Sequence, residues 1–209
     1  MEAVYPWAAV IAAYLLGSLA FAVLVSKAMG LKDPRSFGSG NPGATNVLRS
    51  GSKAAAAITL LLDAMKGFVP VVLVKAWGPR YGLGEGTVAL VALAAFLGHL
   101  YPVFFRFQGG KGVATFIGVV FGVHWLLGVA TGLTWLVIAF FFRYSSLASL
   151  VSAIFAPAYY LFGDRLQWYA ETPIAAALFA MALLLAWRHR ANIQRLLAGK
   201  ESRLGAKKT

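Results

Sequence analysis

The sequence predicts an all-α integral membrane protein with seven transmembrane helices, a single membrane domain over residues 1–209, an N-terminus outside and a cytoplasmic C-terminus. Three observations lead there. Of the 209 residues, 60% are hydrophobic and 12% charged. The apolar residues gather in runs of membrane-crossing length, and an excess of 19 basic over 7 acidic residues, net +12, is unevenly placed. A soluble domain is about a quarter charged, so this chain has half the usual means of covering a wet surface. A span takes roughly 20 apolar residues to cross about 30 Å of hydrocarbon. No cysteine is present, which excludes disulfides, thiolate metal sites and cysteine nucleophiles.

The first run, Ala8 to Val25, follows the acidic Glu2 and has no small-residue cleavage site, so it reads as a span and not a signal peptide. Further runs are Ala54 to Trp77, Thr87 to Phe105, Val113 to Phe142, Leu147 to Phe162 and Ile174 to Trp187. The 30 residues from Val113 to Phe142 would make one helix of about 45 Å or two short spans joined near Gly122-Val123-His124. Charge decides between them. With a hairpin there, Lys27, Lys32, Arg35, Arg49, Lys53, Arg106, Lys111, Arg143 and the seven basic residues from Arg188 onward share the inside. That places 15 of the 19 basic residues inside, while Glu2, Glu85, Asp164 and Glu171 fall outside. A single span would send Arg143 and the basic tail outward, against the positive-inside rule. The seven-span reading makes residues 26–53 a cytoplasmic loop, 104–112 a cytoplasmic phosphate loop and 188–209 a basic cytoplasmic tail. Trp7, Trp77 and Trp168, beside Tyr5, Tyr81 and Tyr169, then mark the outer interface, with His124 an interfacial residue at the outer hairpin.

Three polar segments fall on the inner side. Ser36 to Ser50 is rich in glycine, asparagine and hydroxyl residues, forms turns with outward backbone N–H groups, and ends near Arg49. Gly98 to Gly112 closes on Gly109-Gly110-Lys111-Gly112 at the mouth of a helix, where flexible backbone, helix N-terminus and ammonium suit phosphate. The third, Arg188-His189-Arg190-Ala191-Asn192-Ile193 with Arg195, ends the last span. Each alone reads equally as a loop or a stop-transfer anchor. Together they bring several cations, hydroxyls and amides to one membrane face, a composition suited to a substrate with phosphate groups. Asp63 and Lys66, at i and i+3 inside the second span, are either a structural ion pair or part of the substrate cavity.

Several chemistries lack their signatures. The Walker A spacing is absent, because Val113 follows Gly112 where a hydroxyl is required. No G-x-S-x-G elbow is present, and none of His99, His124 or His189 is followed five residues later by Asp, so the H-x4-D acyltransferase signature is missing. Scattered histidines and few inner carboxylates argue against a metal site. Nucleic acid is not expected, since the basic residues are split among loops tied to spans. The competing class is an anion transporter or exchanger, which should carry polar residues through the midplane and often paired repeats.

Taken together, Gly38-Ser39-Gly40-Asn41-Pro42-Gly43-Ala44-Thr45-Asn46-Val47-Leu48-Arg49, Gly98-His99 through Gly109-Gly110-Lys111-Gly112, and His189 through Leu196 with Gly199 and Glu201 resemble one family. It is the bacterial membrane glycerol-3-phosphate acyltransferases that use acyl phosphate as donor. Asp63-Ala64-Met65-Lys66-Gly67 and Ser145-Ser146-Leu147-Ala148-Ser149 extend the resemblance over nearly the whole chain. The resemblance implies acyl transfer from acyl phosphate to the 1-hydroxyl of glycerol 3-phosphate, giving lysophosphatidic acid and phosphate. It implies Ser39, Arg49, Lys111, His189 and Asn192 as catalytic residues. Substrate or phosphate binding would fall to Asn41, Thr45, Asn46, Lys66, His99, Gly109, Gly110, Gly112, Ser145 and Arg190. No cofactor or metal, no nucleic acid and no obligate protein partner is expected; the partners are the two substrates and membrane lipid. The location implied is the bacterial inner membrane, with the site on the cytoplasmic face. An acyl phosphate is an activated anhydride, so the protein mainly orients two anions and stabilises the departing phosphate. The proton of the attacking hydroxyl would go to His189 or to an oxygen of the donor phosphate.

Overall fold

A computed structural model describes residues 4–205. Glu2, Lys207 and Lys208, three of the charges that enter the parity argument, lie outside the described residues. The described residues fold into ten α-helices: α1 (Val4–Gly17), α2 (Phe21–Ala28), α3 (Ala44–Leu48), α4 (Lys53–Trp77), α5 (Glu85–Leu100), α6 (Val113–Val123), α7 (Trp125–Phe142), α8 (Ser145–Phe162), α9 (Thr172–Arg188) and α10 (Arg190–Leu197). Helix is the expected solution for apolar runs, because it satisfies every backbone hydrogen bond within the segment. Helical segments built on α4, α5, α7 and α8 are each long and apolar enough to cross a membrane. Counting the bent pairs α1–α2 and α9–α10 as one span each raises the number to six, with bends of 45° and 61°. The eleven residues of α6 are apolar but rise only about 16 Å.

The stretch from Val113 to Phe142 is broken as expected, at His124, whose extended backbone (φ −157°, ψ 134°) ends α6 and starts α7. The carbonyl exposed at that break, Val123 O, accepts a hydrogen bond from Lys75 Nζ of α4. The break between α1 and α2 is treated in the same way: Leu19 O accepts from Lys66 Nζ at 2.7 Å. Ser52 caps α4 by accepting from Ala55 N at 3.1 Å.

Successive long helices run up and down. Tyr5 of α1 and Tyr81 just beyond α4 meet with ring centroids 5.5 Å apart and planes tilted by 54°, and Lys75 and His124 lie toward that same end. The opposite end collects the start of α4, the ends of α5, α7 and α9 and the starts of α6 and α8. Among the expected interfacial tryptophans, Trp7 and Trp77 are exposed. Trp168 instead stacks on Tyr160 at 6.0 Å and donates to its carbonyl at 2.8 Å, folding the α8–α9 loop.

The core is centred on α5, with Phe96, Leu100, Phe116, Leu127, Leu178, Met181 and Leu185 fully buried. Hydrocarbon offers no hydrophobic drive between helices, so close packing and hydrogen bonding must hold them together. Glycines supply the closeness. A Cβ on Gly98 of α5 would lie 2.3 Å from Tyr14 O of α1, and one on Gly118 of α6 would lie 1.9 Å from Ala64 O of α4. The exterior is the reverse of a soluble protein's, with Phe140, Phe141, Leu133, Leu136 and Val137 of α7 exposed; an apolar surface of this extent belongs against lipid.

Gly118→Ala is expected to destabilise the protein by about 1–3 kcal/mol through this backbone clash. Gly132→Ala in α7, where nothing lies within 4 Å of the added carbon, should be neutral or stabilising by up to about 1 kcal/mol. Thermal unfolding of both variants in one detergent checks the contrast.

Candidate functional site

The first polar segment folds around one amide. Asn46, buried in α3, donates through Nδ2 to Pro34 O at 2.6 Å and Phe37 O at 3.1 Å. Its Oδ1 accepts from Ser39 N at 3.1 Å and from Arg49 Nη1 at 3.2 Å. All of its polar capacity is spent on the loop, so Asn46 shapes the segment and positions Arg49. Gly38 is required here: its φ is +61°, and a Cβ would sit 2.2 Å from Asn46 Oδ1. Arg49 extends to Ser202 Oγ at 3.1 Å, so both its hydrogen bonds go to neutral oxygens. Thr45 Oγ1 lies 3.4 Å from Ser145 Oγ at the start of α8.

The Gly109–Gly112 loop packs its glycines against the end of α5. A Cβ on Gly109 would fall 2.1 Å from His99 O, one on Gly110 2.3 Å from His99 Nε2, and one on Gly112 2.3 Å from the Phe96 ring. The Gly110 N–H donates to His99 O at 3.1 Å, which engages one of the backbone donors the sequence reading assigned to phosphate. The carbonyls of Gly109 and Gly110 accept from Arg188 Nη2 at 2.9 Å and Nε at 3.2 Å, while that guanidinium lies 5.7 Å from the centre of the Tyr101 ring. The loop thus becomes a rigid bracket that presents Lys111.

Lys111 Nζ donates to Asn192 Oδ1. Asn192 Nδ2 in turn donates to Glu201 Oε1 at 2.6 Å, which also accepts from Ser146 Oγ at 2.9 Å, while Glu201 Oε2 pairs with Arg195 Nε at 2.7 Å. Burial pushes the Glu201 carboxyl up, but hydrogen bonds from Asn192, Arg195 and Ser146 outweigh it and hold the group below the ordinary range. Burial, reinforced by Arg195, Arg49 and Arg188 and opposed by Glu201, lowers Lys111 to about 8. His189, just beyond α9, is brought down to about 4, first by burial and then by Lys111 and Arg188, and is neutral at pH 7. Its Nδ1 donates to Leu185 O at 2.8 Å.

Thus Arg49, Thr45, Asn46, Lys111, Ser145, His189 and Asn192 converge at one end of the bundle, with the glycine bracket among them. Three expected participants stand apart. Lys66 and His99 are buried within the bundle, Lys66 Nζ forming a buried ion pair 2.8 Å from Asp63 Oδ1. Arg190 is exposed and lies over the Trp187 ring at 5.3 Å, turned toward α9's own surface. Ser39 and Asn41 flank the cluster on the same loop, where the Ser39 N–H donates to Asn46 Oδ1 and the Asn41 carbonyl accepts from Gly43 N at 3.0 Å.

The model of the family described as "Glycerol-3-phosphate acyltransferase" matches residues 7–199. The chain belongs to this family. A curated member from Albidiferax ferrireducens is 63% identical over 207 residues, covering 99% of this chain and 92% of the relative. One from Burkholderia pseudomallei is 64% identical over 203 residues, covering 96% of each. Among solved structures, the crystal structure of PlsY (YgiH), described as an integral membrane glycerol 3-phosphate acyltransferase, superposes with a TM-score of 0.87 in its glycerol 3-phosphate form. Identity is 40%, with 96% of each chain covered. The lysophosphatidic acid form of the same protein gives a TM-score of 0.86 at 39% identity, again with 96% of each chain covered. The chain is therefore a multi-pass membrane protein of this family's fold.

Sequence reasoning placed Arg188, Arg195, Ser146 and Glu201 in the matching segments but gave none of them a role of its own, and it missed Ser202. Glu201 did carry a signal, as the only acid in a tail with seven basic residues. Because its charge raises the Lys111 pKa, Glu201→Gln should lower that pKa further below 8. The pH dependence of the Lys111 ε-carbon signal in NMR of the labelled protein measures the shift.

Proposed function

We propose that this protein transfers a fatty acyl group from acyl phosphate to the 1-hydroxyl of glycerol 3-phosphate, releasing lysophosphatidic acid and phosphate as the first acylation of phospholipid synthesis. The observation that carries this reading is the meeting of Arg49, Lys111 and Asn192, delivered by three segments distant in sequence, at one end of a lipid-exposed bundle. The solved relative's glycerol 3-phosphate and lysophosphatidic acid forms name an acceptor and a product of this reaction. An acyl phosphate donor suits the site, which offers cations and amides for a phosphate leaving group.

In this reading α1–α2, α4, α5, α6, α7, α8 and α9 are seven spans, the N-terminus is outside, and residues 26–53, 104–112 and 188–209 face the cytoplasm. The bacterial inner membrane is the location in this reading. Lys111 and Arg49 hold the two substrate phosphates close despite their repulsion, and Asn192 orients Lys111. The C1 oxygen attacks the acyl carbonyl carbon, the carbonyl oxygen takes the negative charge, and the bond to the phosphate oxygen breaks as the carbonyl re-forms. A neutral His189 with a pKa of about 4 is a weak base at pH 7. The hydroxyl proton therefore passes to the donor phosphate, which leaves as hydrogen phosphate. Ser39, Asn41, Thr45 and Ser145 bind the polar ends of the substrates.

The test is purified protein in lipid nanodiscs, given acyl phosphate and glycerol 3-phosphate, with phosphate release and lysophosphatidic acid followed together. Wild type turns over, and Lys111→Ala loses about 10²–10³ in kcat/KM. Absence of turnover, or equal rates in the variant, would overturn the assignment. The charged ammonium is the binding form, so kcat/KM falls as pH rises through about 8, the Lys111 pKa. His189→Ala should keep at least a tenth of kcat, because the proton does not pass through it.

A further inference from the structure

The sequence reading placed Lys66 and His99 among the substrate ligands, yet both are buried in the bundle and face Asp63. Their geometry points elsewhere. Thr115, in the first turns of α6 and fully buried, donates its only hydroxyl proton to Asp63 O of α4 at 2.9 Å. The contact of 3.1 Å between Thr115 Oγ1 and His99 Nδ1 must then be donated by the imidazole. That assigns the ring proton to Nδ1, with Asp63 Oδ1 on the same side at 3.6 Å. Lys66 Nζ bridges Asp63 Oδ1 at 2.8 Å and Leu19 O at 2.7 Å, so the carboxylate is anchored to the break between α1 and α2. The imidazole is thus held by three helices.

Its opposite edge faces the glycine bracket. Nε2 lies where a Cβ of Gly110 would be, and His99's own carbonyl accepts the Gly110 N–H at 3.1 Å. Arg188 holds the two glycine carbonyls from the other side. The next residue is Lys111, and its reach to Asn192 depends on where Gly110 sits.

We propose that His99, with its ring set by Thr115 and Asp63, is a positioning residue that seats Gly110 and so aims Lys111 at its phosphate. Lys66 serves the same device from below by anchoring Asp63. This rests on the acyl-transfer reading. A displacement of about 1 Å at a positioning group costs up to roughly 10²-fold in rate, so a loosened bracket weakens phosphate capture without removing the site. Removing Asp63 or Lys66 would leave an uncompensated buried charge, which makes them poor probes. Thr115 and His99 are neutral alternatives.

The experiment compares wild type, His99→Gln, Thr115→Val, Thr115→Ser and Lys111→Ala in nanodiscs, with KM for each substrate, kcat and thermal midpoint measured for all. Wild-type turnover is the first check, and its absence would defeat the acyl-transfer reading and not this one. Given turnover, His99→Gln and Thr115→Val should raise, by about tenfold, the same Michaelis constant that Lys111→Ala raises, with kcat changed less than about threefold. Thr115→Ser, which keeps the hydroxyl, should restore it. In the Lys111→Ala background, His99→Gln should have no further effect on that constant. A merely structural role would lower the active fraction, so kcat and thermal midpoint would fall while KM stayed put. That result, or full additivity with Lys111→Ala, would overturn the proposal. Should His99→Gln fail to fold, the Thr115 pair decides alone.

Discussion

Inside hydrocarbon a broken helix has no water to satisfy its free carbonyl, and such a group costs several kcal/mol unless the protein supplies a donor. Three irregular stretches of this fold, one between α1 and α2 and two toward the ends of the bundle, each meet a basic side chain. Lys66 takes Leu19 O between α1 and α2, and Lys75 takes Val123 O between α6 and α7. Arg188 takes both glycine carbonyls of the loop before α6. The short α6 and the bent α1–α2 pair therefore exist because cations on neighbouring helices make irregular backbone tolerable. One of those cations, Lys66, is itself neutralised by Asp63. The bundle thus turns a surplus of positive charge into structural support before any of it is used for binding.

At the other end of the same economy stands Glu201. Its carboxylate gathers Asn192 and Arg195 of α10 and Ser146 of α8 and, through Asn192, steadies Lys111. A cluster of cations without such a carboxylate would spread apart by repulsion. With it, Lys111 stays both close to its neighbours and partly desolvated, which places its pKa near 8. Arg49 remains hydrogen-bonded only to neutral oxygens. In the proposed function this is an anion site arranged in advance, in which the protein contributes orientation and charge.

Much of this was readable residue by residue. The break at His124 followed from counting where Arg143 and the basic tail had to lie, because the membrane sorts basic loops to one side. Arg49, Lys111 and Asn192 were legible because each sits in a short polar motif bordering an apolar run. Lys66 and His99 carry the same kind of local signal, and only the structure shows that both lie buried within the bundle: a polar residue beside a motif resembles one inside it until its depth is known. Arg188 and Arg190 show the limit well. Two residues apart at a helix end, they are alike in sequence, yet one braces the loop and the other lies over Trp187 on the outside.

By itself the sequence determined the membrane class, the helical segments and the family, since hydropathy, charge asymmetry and short motifs are local properties of the chain. It also determined which three segments carry the polar chemistry. Only the tertiary structure decided that Glu201 sits at the centre of the basic cluster, that Gly110 rests on His99, and that Asn46 serves its own loop. Those assignments depend on contacts between residues up to 81 positions apart, as for Lys111 and Asn192, and on which way a side chain leaves its helix. Neither is written in any local stretch of residues; both follow from how closely the glycine-bearing helices pack.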